Sequence, residues 1–306
     1  MSGWEMNFKC ADLRGIGKRT HPGSRALRSA WGVCIVPAVL LASASAVWAQ
    51  MPARVVSINL CTDQLLLALG NPGQIAGLGR FSRHIEMSYL ASRAANYPSL
   101  RGSAEEVLKL KPDLVLAGAF SGRATRAVLH GNGVRVETFA PPQSIATARS
   151  EIERMATLLG RPERGAALIA DIDSAVSEAV AARKGRSAVT ALAIQRRGFI
   201  SGRETLLSSA MEVAGLANAS AALGIASIDR APLEAIVKLK PDVVILEDLP
   251  VSRDQSTALL HHPVLARAGI GVRVLKLPVA EVTCGGPSLP QLIRRLFREV
   301  SEKARD

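Results

Sequence analysis

A twelve-residue stretch of this chain occurs twice. Glu105 to Leu116 (EEVLKLKPDLVL) returns almost residue for residue as Glu234 to Ile245 (EAIVKLKPDVVI), 129 positions later. Self-similarity at a fixed offset marks a duplicated unit, and solenoid repeats recur at only about 20–50 residues. One long offset therefore predicts two related lobes. Two lobes of similar plan leave a cleft between them, and such clefts are favoured ligand sites.

The first half reads as strands alternating with helices. Val55-Val56-Ser57-Ile58 is a short apolar, β-branched run, followed by a helix from Asp63 to Leu69 that Gly70-Asn71-Pro72-Gly73 stops. Ile75 to Leu78 reads as a second strand. Ser103 with Glu106 three residues on predicts a capping box for a helix to Leu110. Strands at Leu114–Ala117 and Val134–Phe139 flank a helix from Arg123 to Leu129. This alternation implies a mostly parallel α/β layer structure.

The middle changes character. Ile145 to Leu159 is helical by period, and Pro162 suits the first turn of a second helix. Apolar residues at Ala166, Ile169, Ile172, Val176, Ala179 and Val180 carry that helix to about Arg183. About twenty residues at 1.5 Å rise span roughly 30 Å, enough to bridge two lobes. The second lobe opens with the strand Val189–Ile194 and a helix from Thr205 to Ala214. After the repeated helix and strand come a strand at Val272–Leu275 and a closing helix from Ser288 to Lys303. The expected division is 1–49 leader, 50–146 first lobe, 147–184 bridge and 185–306 second lobe.

Residues 1–49 read as a signal peptide. A basic start is followed by the apolar stretch Trp31 to Leu41 and by Val47-Trp48-Ala49, a small-residue cleavage site. The apolar run is shorter than the ~20 residues of a spanning helix. The leader holds six of the 38 Lys and Arg and two of the 26 Asp and Glu, so the remainder carries +8, a charge that favours anionic partners. No basic tract or aromatic-basic interleaving points to nucleic acid. Beyond the leader only Cys61 and Cys284 remain of four cysteines. Two buried free thiols are the ordinary expectation; a disulfide, which export permits, and thiolate coordination are the alternatives. His261-His262-Pro263 reads as a helix-end loop, and no metal site is expected.

A signal peptide, a Glu-x-[IV]-x-x-Leu-Lys-Pro-Asp-[LV]-Val segment in each lobe and one long bridging helix together resemble the periplasmic substrate-binding proteins of ABC importers for iron-siderophores, cobalamin and haem. Arg54-Val55-Val56-Ser57 leading into Asp63-Gln64-Leu65 is similar to that family's first strand and helix. Gly202-x-x-Thr205 followed by Ala214-Gly215-Leu216-Ala217-Asn218 is similar to its second-lobe entry. The resemblance covers about residues 53–300. It implies two Rossmann-like α/β lobes with mostly parallel sheets, bridged by a single long helix, with ligand held in the cleft and no bond made or broken. It further implies a monomer in the periplasm, without a cofactor, that delivers a metal chelate to a membrane permease and its ATPase. A ferric siderophore is the first expectation, with haem and cobalamin behind it. By residue match, Glu105 and Glu234 are the two acidic residues presented to permease arginines.

Loops after strands should line the cleft. In the first lobe they bring Asn59, Cys61 and Thr62, then Arg80, Phe81 and Arg83, then Phe120 and Arg123. In the second they bring Arg196, Arg197 and Phe199, then Glu247 and Asp248, then Cys284 with Gly285 and Gly286. Arginine forks suit carboxylate and catecholate oxygens and stack on rings; each one singly is more often a solvated surface residue. His84, Tyr89 and Tyr97 are the nearby residues of haem-ligand type. A rival reading takes Cys61 with His84 and an Asp as a nucleophilic enzyme site, but the chain has no nucleophile elbow or phosphate loop. A third reading is a ligand sensor.

Overall fold

The computed structural model describes residues 51–120, 122–248 and 273–302. The expected leader and the His261-His262-Pro263 loop lie outside the described residues. The first lobe is a five-stranded parallel sheet built from β1 (Val55–Ser57), β2 (Ile75–Gly79), β3 (Ser99–Leu100), β4 (Leu114–Gly118) and β5 (Val136–Phe139), in the order β3-β2-β1-β4-β5. The interior strand β4 is buried along its whole length, as a parallel strand covered on both faces must be. Around it lie α1 (Leu60–Leu69), α2 (Ala91–Ala94), α3 (Ala104–Lys109) and α4 (Arg123–Gly131).

Local chemistry sets where these helices begin. The Asn59 side chain accepts the Cys61 and Thr62 N–H groups at 3.0 and 3.4 Å and so starts α1 three residues ahead of the expected Asp63. Asn59, Cys61 and Thr62 are therefore a cap and a first helical turn, not a loop. Ser103 caps α3 as expected, accepting the Glu106 N–H at 3.3 Å. The Glu106 carboxylate takes the Arg101 N–H at 2.9 Å, so the expected reciprocal half of a capping box is made two residues upstream of the cap.

The duplicated segment has a structural purpose in both lobes. Lys111 and Lys240 each leave the helix at positive φ, 45° and 46°. The following Pro turns the chain, and the Asp then pins the start of its lobe's first strand. Asp113 accepts the N–H groups of Ala53 and Arg54 at 2.7 and 3.1 Å. Asp242 accepts the N–H and hydroxyl of Thr190 at 2.9 and 2.6 Å.

The bridge is α5 (Ile145–Leu158) and α6 (Pro162–Ala182), with Pro162 in the first turn of α6. The 21 residues of α6 extend for roughly 31 Å. This helix packs on α5, on α1 of the first lobe, and on α7 (Leu206–Val213) of the second. It also packs on the late helix Leu289–Glu302.

The second lobe contains β6 (Val189–Ile194), β7 (Phe199–Ser201), β8 (Leu216–Asn218), β9 (Ile228–Arg230), β10 (Val243–Asp248) and β11 (Arg273–Pro278), with α8 (Leu233–Leu239), α9 (Val279–Val282) and α10 (Leu289–Glu302). Its sheet runs β11-β10-β6-β7-β9, and β8 pairs with the first residues of β6. The strands β11, β10, β6 and β8 are parallel, while β7 and β9 join antiparallel. The second sheet is thus mixed, a feature that the alternation of strands and helices does not reveal.

The largest hydrophobic core runs through both lobes, and each lobe has a smaller one on the far face of its sheet. The largest includes Val55, Leu116, Ile152, Met155, Ile172, Ala193, Met211 and Leu292. Each fully buried aliphatic side chain contributes about 1.5–3 kcal/mol, so the helical side of the bridge is held as one body. Arg294 of α10 adds polar ties to α6, reaching Asp171 at 2.9 Å and Glu178 at 3.0 Å.

Candidate functional site

Two residues far apart in sequence meet across the lobes. Cys61 lies in the first turn of α1, and Cys284 lies in the turn between α9 and α10. They form a disulfide with a Cα–Cα separation of 5.2 Å. The expectation of two free thiols is thereby corrected. A bridge needs Cα atoms closer than about 7 Å, and the turn before α10 is seated deeply enough to meet that. A side chain at Gly285 would strike Pro142, Leu206 and Ala148, and one at Gly286 would press on Leu65.

The disulfide forms part of the wall of a cavity of about 180 Å³ between the lobes. The first lobe contributes Asn59, Thr62, Leu65, Phe120 and Phe139, with Pro141 and Pro142 after β5. The bridge contributes Glu151, and the second lobe contributes Cys284, Gly285 and Gly286. The wall is mostly apolar. Its carboxylate, Glu151, is paired with Arg154 at 3.1 Å, and the Arg154 guanidinium lies 3.7 Å from the centre of the Phe139 ring. Phe120 is 88% exposed, a large ring left facing solvent at the cavity mouth.

A second cavity, of about 330 Å³, belongs to the second lobe and is lined by Gln195, Arg196, Arg197, Phe199 and Glu247. Arg197 holds positive φ (59°) next to Gly198, which turns the chain tightly from β6 into β7. Burial pushes the Glu247 carboxyl up to about 7, against the opposing pull of Arg196. Arg230 of β9 stacks 4.6 Å from the Phe199 ring centre. Asp248 ends β10.

The expected cleft residues divide between these places. Asn59, Cys61, Thr62, Phe120 and Cys284 share the inter-lobe cavity; Arg196, Arg197 and Phe199 share the second. Arg80, Phe81, Arg83 and Arg123 are exposed and line neither. Arg80 stacks 4.5 Å from the Phe81 ring centre, and Phe81 meets His84 edge-on at 5.7 Å. Arg83 is held by the Tyr97 carbonyl. Tyr89 donates its hydroxyl across the lobes to Gln291 at 3.1 Å. Glu105 and Glu234 stand exposed in the first turns of α3 and α8, and Glu105 pairs with Lys109 of its own helix at 2.7 Å.

Sequence reasoning missed Phe139, Pro141, Pro142 and Glu151. The signal was present, because Pro141 and Pro142 follow a strand just as the chosen loops do. It also missed Asp63, which sits behind the cavity in α1. Its Oδ1 accepts the Gly79 N–H at 3.1 Å, while Oδ2 has no partner. Burial pushes this carboxyl up to about 7, with hydrogen bonds from Ser57 and Gly79 pulling the other way. Among the described residues, no three His, Cys, Asp or Glu side chains gather into a metal-holding group, and no helix is long and apolar enough to cross a membrane.

A family model described as periplasmic binding protein matches residues 55–268. The chain belongs to the periplasmic binding protein family. The family's two-lobe plan accounts for the paired sheets, the α6 bridge and the cavity between the lobes. Among solved structures, the periplasmic haem-binding protein RhuT of Roseiflexus sp. RS-1 in apo form is 26% identical with a TM-score of 0.69, covering 82% of this chain and 98% of that one. A periplasmic haem-binding protein of Pseudomonas aeruginosa is 25% identical with a TM-score of 0.68, covering 82% and 93%. The cobalamin-binding protein of Halobacterium salinarum is 28% identical over 201 residues, 63% of this chain and 53% of its own. The chain thus spans about half the length of the curated relatives it matches. The family and these neighbours are binding proteins.

Proposed function

We propose that this protein captures a metal chelate in the periplasm and hands it to the permease and ATPase of an ABC importer, without chemistry on the ligand. The apolar cavity walled by both lobes carries this reading. In lining chemistry a tetrapyrrole chelate, haem or a corrinoid, of which a cavity of about 180 Å³ takes an edge, matches it better than the ferric siderophore that heads the sequence expectation. The cavity wall is apolar and aromatic and holds no arginine, whereas an anionic siderophore calls for cations around its oxygens. Phe120 at the mouth offers a face to a flat ring. Arg196 and Arg197 in the second cavity supply charge for peripheral carboxylates in this reading. Relatives named for haem and for cobalamin support the same class.

Glu105 and Glu234, one per lobe, are the permease contacts in this reading. Paired acidic knobs on a basic partner set register and speed encounter. Residues 1–49 are the leader, cut near Ala49, and the working form is a monomer with lobes at 50–146 and 185–306 joined by 147–184. The test is thermal unfolding of the exported protein with hemin, cyanocobalamin and a panel of ferric siderophores. A ligand at 100 times its dissociation constant adds about 2.7 kcal/mol. Stabilisation by a tetrapyrrole alone supports the reading, a shift only with a ferric siderophore replaces the ligand class, and no shift with any chelate refutes it.

A further inference from the structure

The position of the Cys61–Cys284 bond sets it apart from a staple that merely holds a fold together. The lobes are joined on the helical side by one continuous core and by α5, α6 and α10. The disulfide is itself part of the cavity wall and sits at the edge of that core, since Gly285 beside Cys284 packs against Ala148 of α5 and Leu206 of α7. It is a covalent tie from the first turn of α1 to the turn before α10, in the wall that a ligand would touch. Beside it lie the Tyr89–Gln291 hydrogen bond and the seating of Gly285 and Gly286 against the first lobe and the bridge.

We propose that the Cys61–Cys284 disulfide is a covalent latch that holds the two lobes together at the cavity wall, and that a dithiol reductant opens it from the cavity side. The two sulfurs differ in access. Cys284 is 2% exposed, whereas Cys61 is only partly buried and faces the cavity. A reductant thiolate attacks the Cys61 sulfur, forming a mixed disulfide, and the electron pair leaves on Cys284, which takes up a proton. The reductant's second thiol then closes its own disulfide and releases Cys61 as a thiol. Two electrons and two protons pass from the dithiol to the protein. A Cys61 thiolate formed in this exchange stands in the first turn of the ten-residue helix α1, where the peptide dipoles favour negative charge. Reduction is therefore assisted at this cysteine, and a ligand seated in the cavity covers the sulfur that must be attacked. By linkage, a ligand that protects the bond must bind the oxidised form more tightly.

The latch deepens the ligand-cavity reading, and only its ligand arm depends on that reading. The first experiment is hydrogen exchange on the ligand-free exported protein, oxidised and after dithiothreitol, beside a Cys61→Ser, Cys284→Ser double variant. Peptide mapping without reductant checks the bond. The expected result is exchange at least tenfold faster in residues 59–66 and 283–292 with β4 and β10 unchanged. Unchanged exchange everywhere overturns the latch, as does equal acceleration of both sheets, which would make the bond a whole-fold staple, and as does failure to find the bond. Reduction of the wild-type protein keeps the test alive where the double variant fails to fold. The second experiment follows the dithiothreitol reduction rate with and without hemin or cyanocobalamin, whichever stabilises the protein. A rate at least tenfold slower in the complex is expected, and an equal rate overturns the cavity-side opening. Absence of a shift with every chelate defeats the ligand reading and leaves the ligand-free exchange result standing by itself.

Discussion

Asp63 is a carboxyl that the fold prefers to keep protonated, and this makes stability fall with pH in a range where most proteins are at their best. Its value lies near 3.8 in the unfolded chain and is pushed to about 7 by burial. Between these values the folded chain holds a proton that the unfolded chain has released. Each rise in pH then costs stability, and the loss is complete once pH exceeds about 7 and both states are ionised. At 1.36 kcal/mol per unit the whole effect is about 4 kcal/mol, of which about 2.5 kcal/mol falls between pH 5 and pH 8. Glu247, moved from 4.5 to about 7 by burial, has the same sign and adds a further loss of about 2.5 kcal/mol over that interval. Asp63→Asn keeps the shape and the acceptor for the Gly79 N–H, and it replaces the unpartnered Oδ2 with an uncharged amide. The variant should be about 4 kcal/mol more stable than wild type at pH 8, and its decline from pH 5 to pH 8 should be about half that of wild type. Urea titrations followed by circular dichroism at half-unit pH steps measure both quantities. A decline in Asp63→Asn as steep as that of wild type would refute the reasoning, as would a variant less stable than wild type at pH 8.

Two further outcomes test other parts of the structure. Gly202→Ala should lose about 3 kcal/mol or more, because a Cβ there would collide with the backbone carbonyls of Ala226 and Ser227, and a thermal melt reads this as a lowered midpoint. Glu105→Lys with Glu234→Lys should leave the melting temperature within about two degrees of wild type, since both residues are exposed and exposed ion pairs contribute about 0–1 kcal/mol. The same pair should cut ligand uptake by cells at least tenfold, and unaltered uptake would remove these residues from the docking surface.

What the sequence discloses and what it hides divides along physical lines. Elements carried by local chemistry were legible: the long bridge from Pro162, the Ser103 cap of α3, and the Thr205 cap of α7, whose side chain accepts the Ser208 N–H. Gly215 at φ 87° likewise marks the passage from α7 to β8. Elements that exist only through pairing were not legible. β7 and β9 are three residues each, and β9 is exposed at every position, so neither shows a period; β7 is a strand because β6 offers an edge, and β9 because β7 does. The disulfide escaped for the same reason, since 223 residues separate its cysteines and only the fold of both lobes brings them together. The duplicated segment lies between these extremes. Its Lys-Pro-Asp reads by itself as a helix end, yet Asp113 and Asp242 reach back to the first strand of their own lobes. That long-range contact explains why the Asp returns with the helix and turn, and why the repeat marks two lobes. Each copy closes a sheet of its own, and the chain must then hold the two sheets together. The hydrophobic core along α5, α6 and α10 does this, and at its edge one covalent bond joins the lobes in the cavity wall that a ligand would touch.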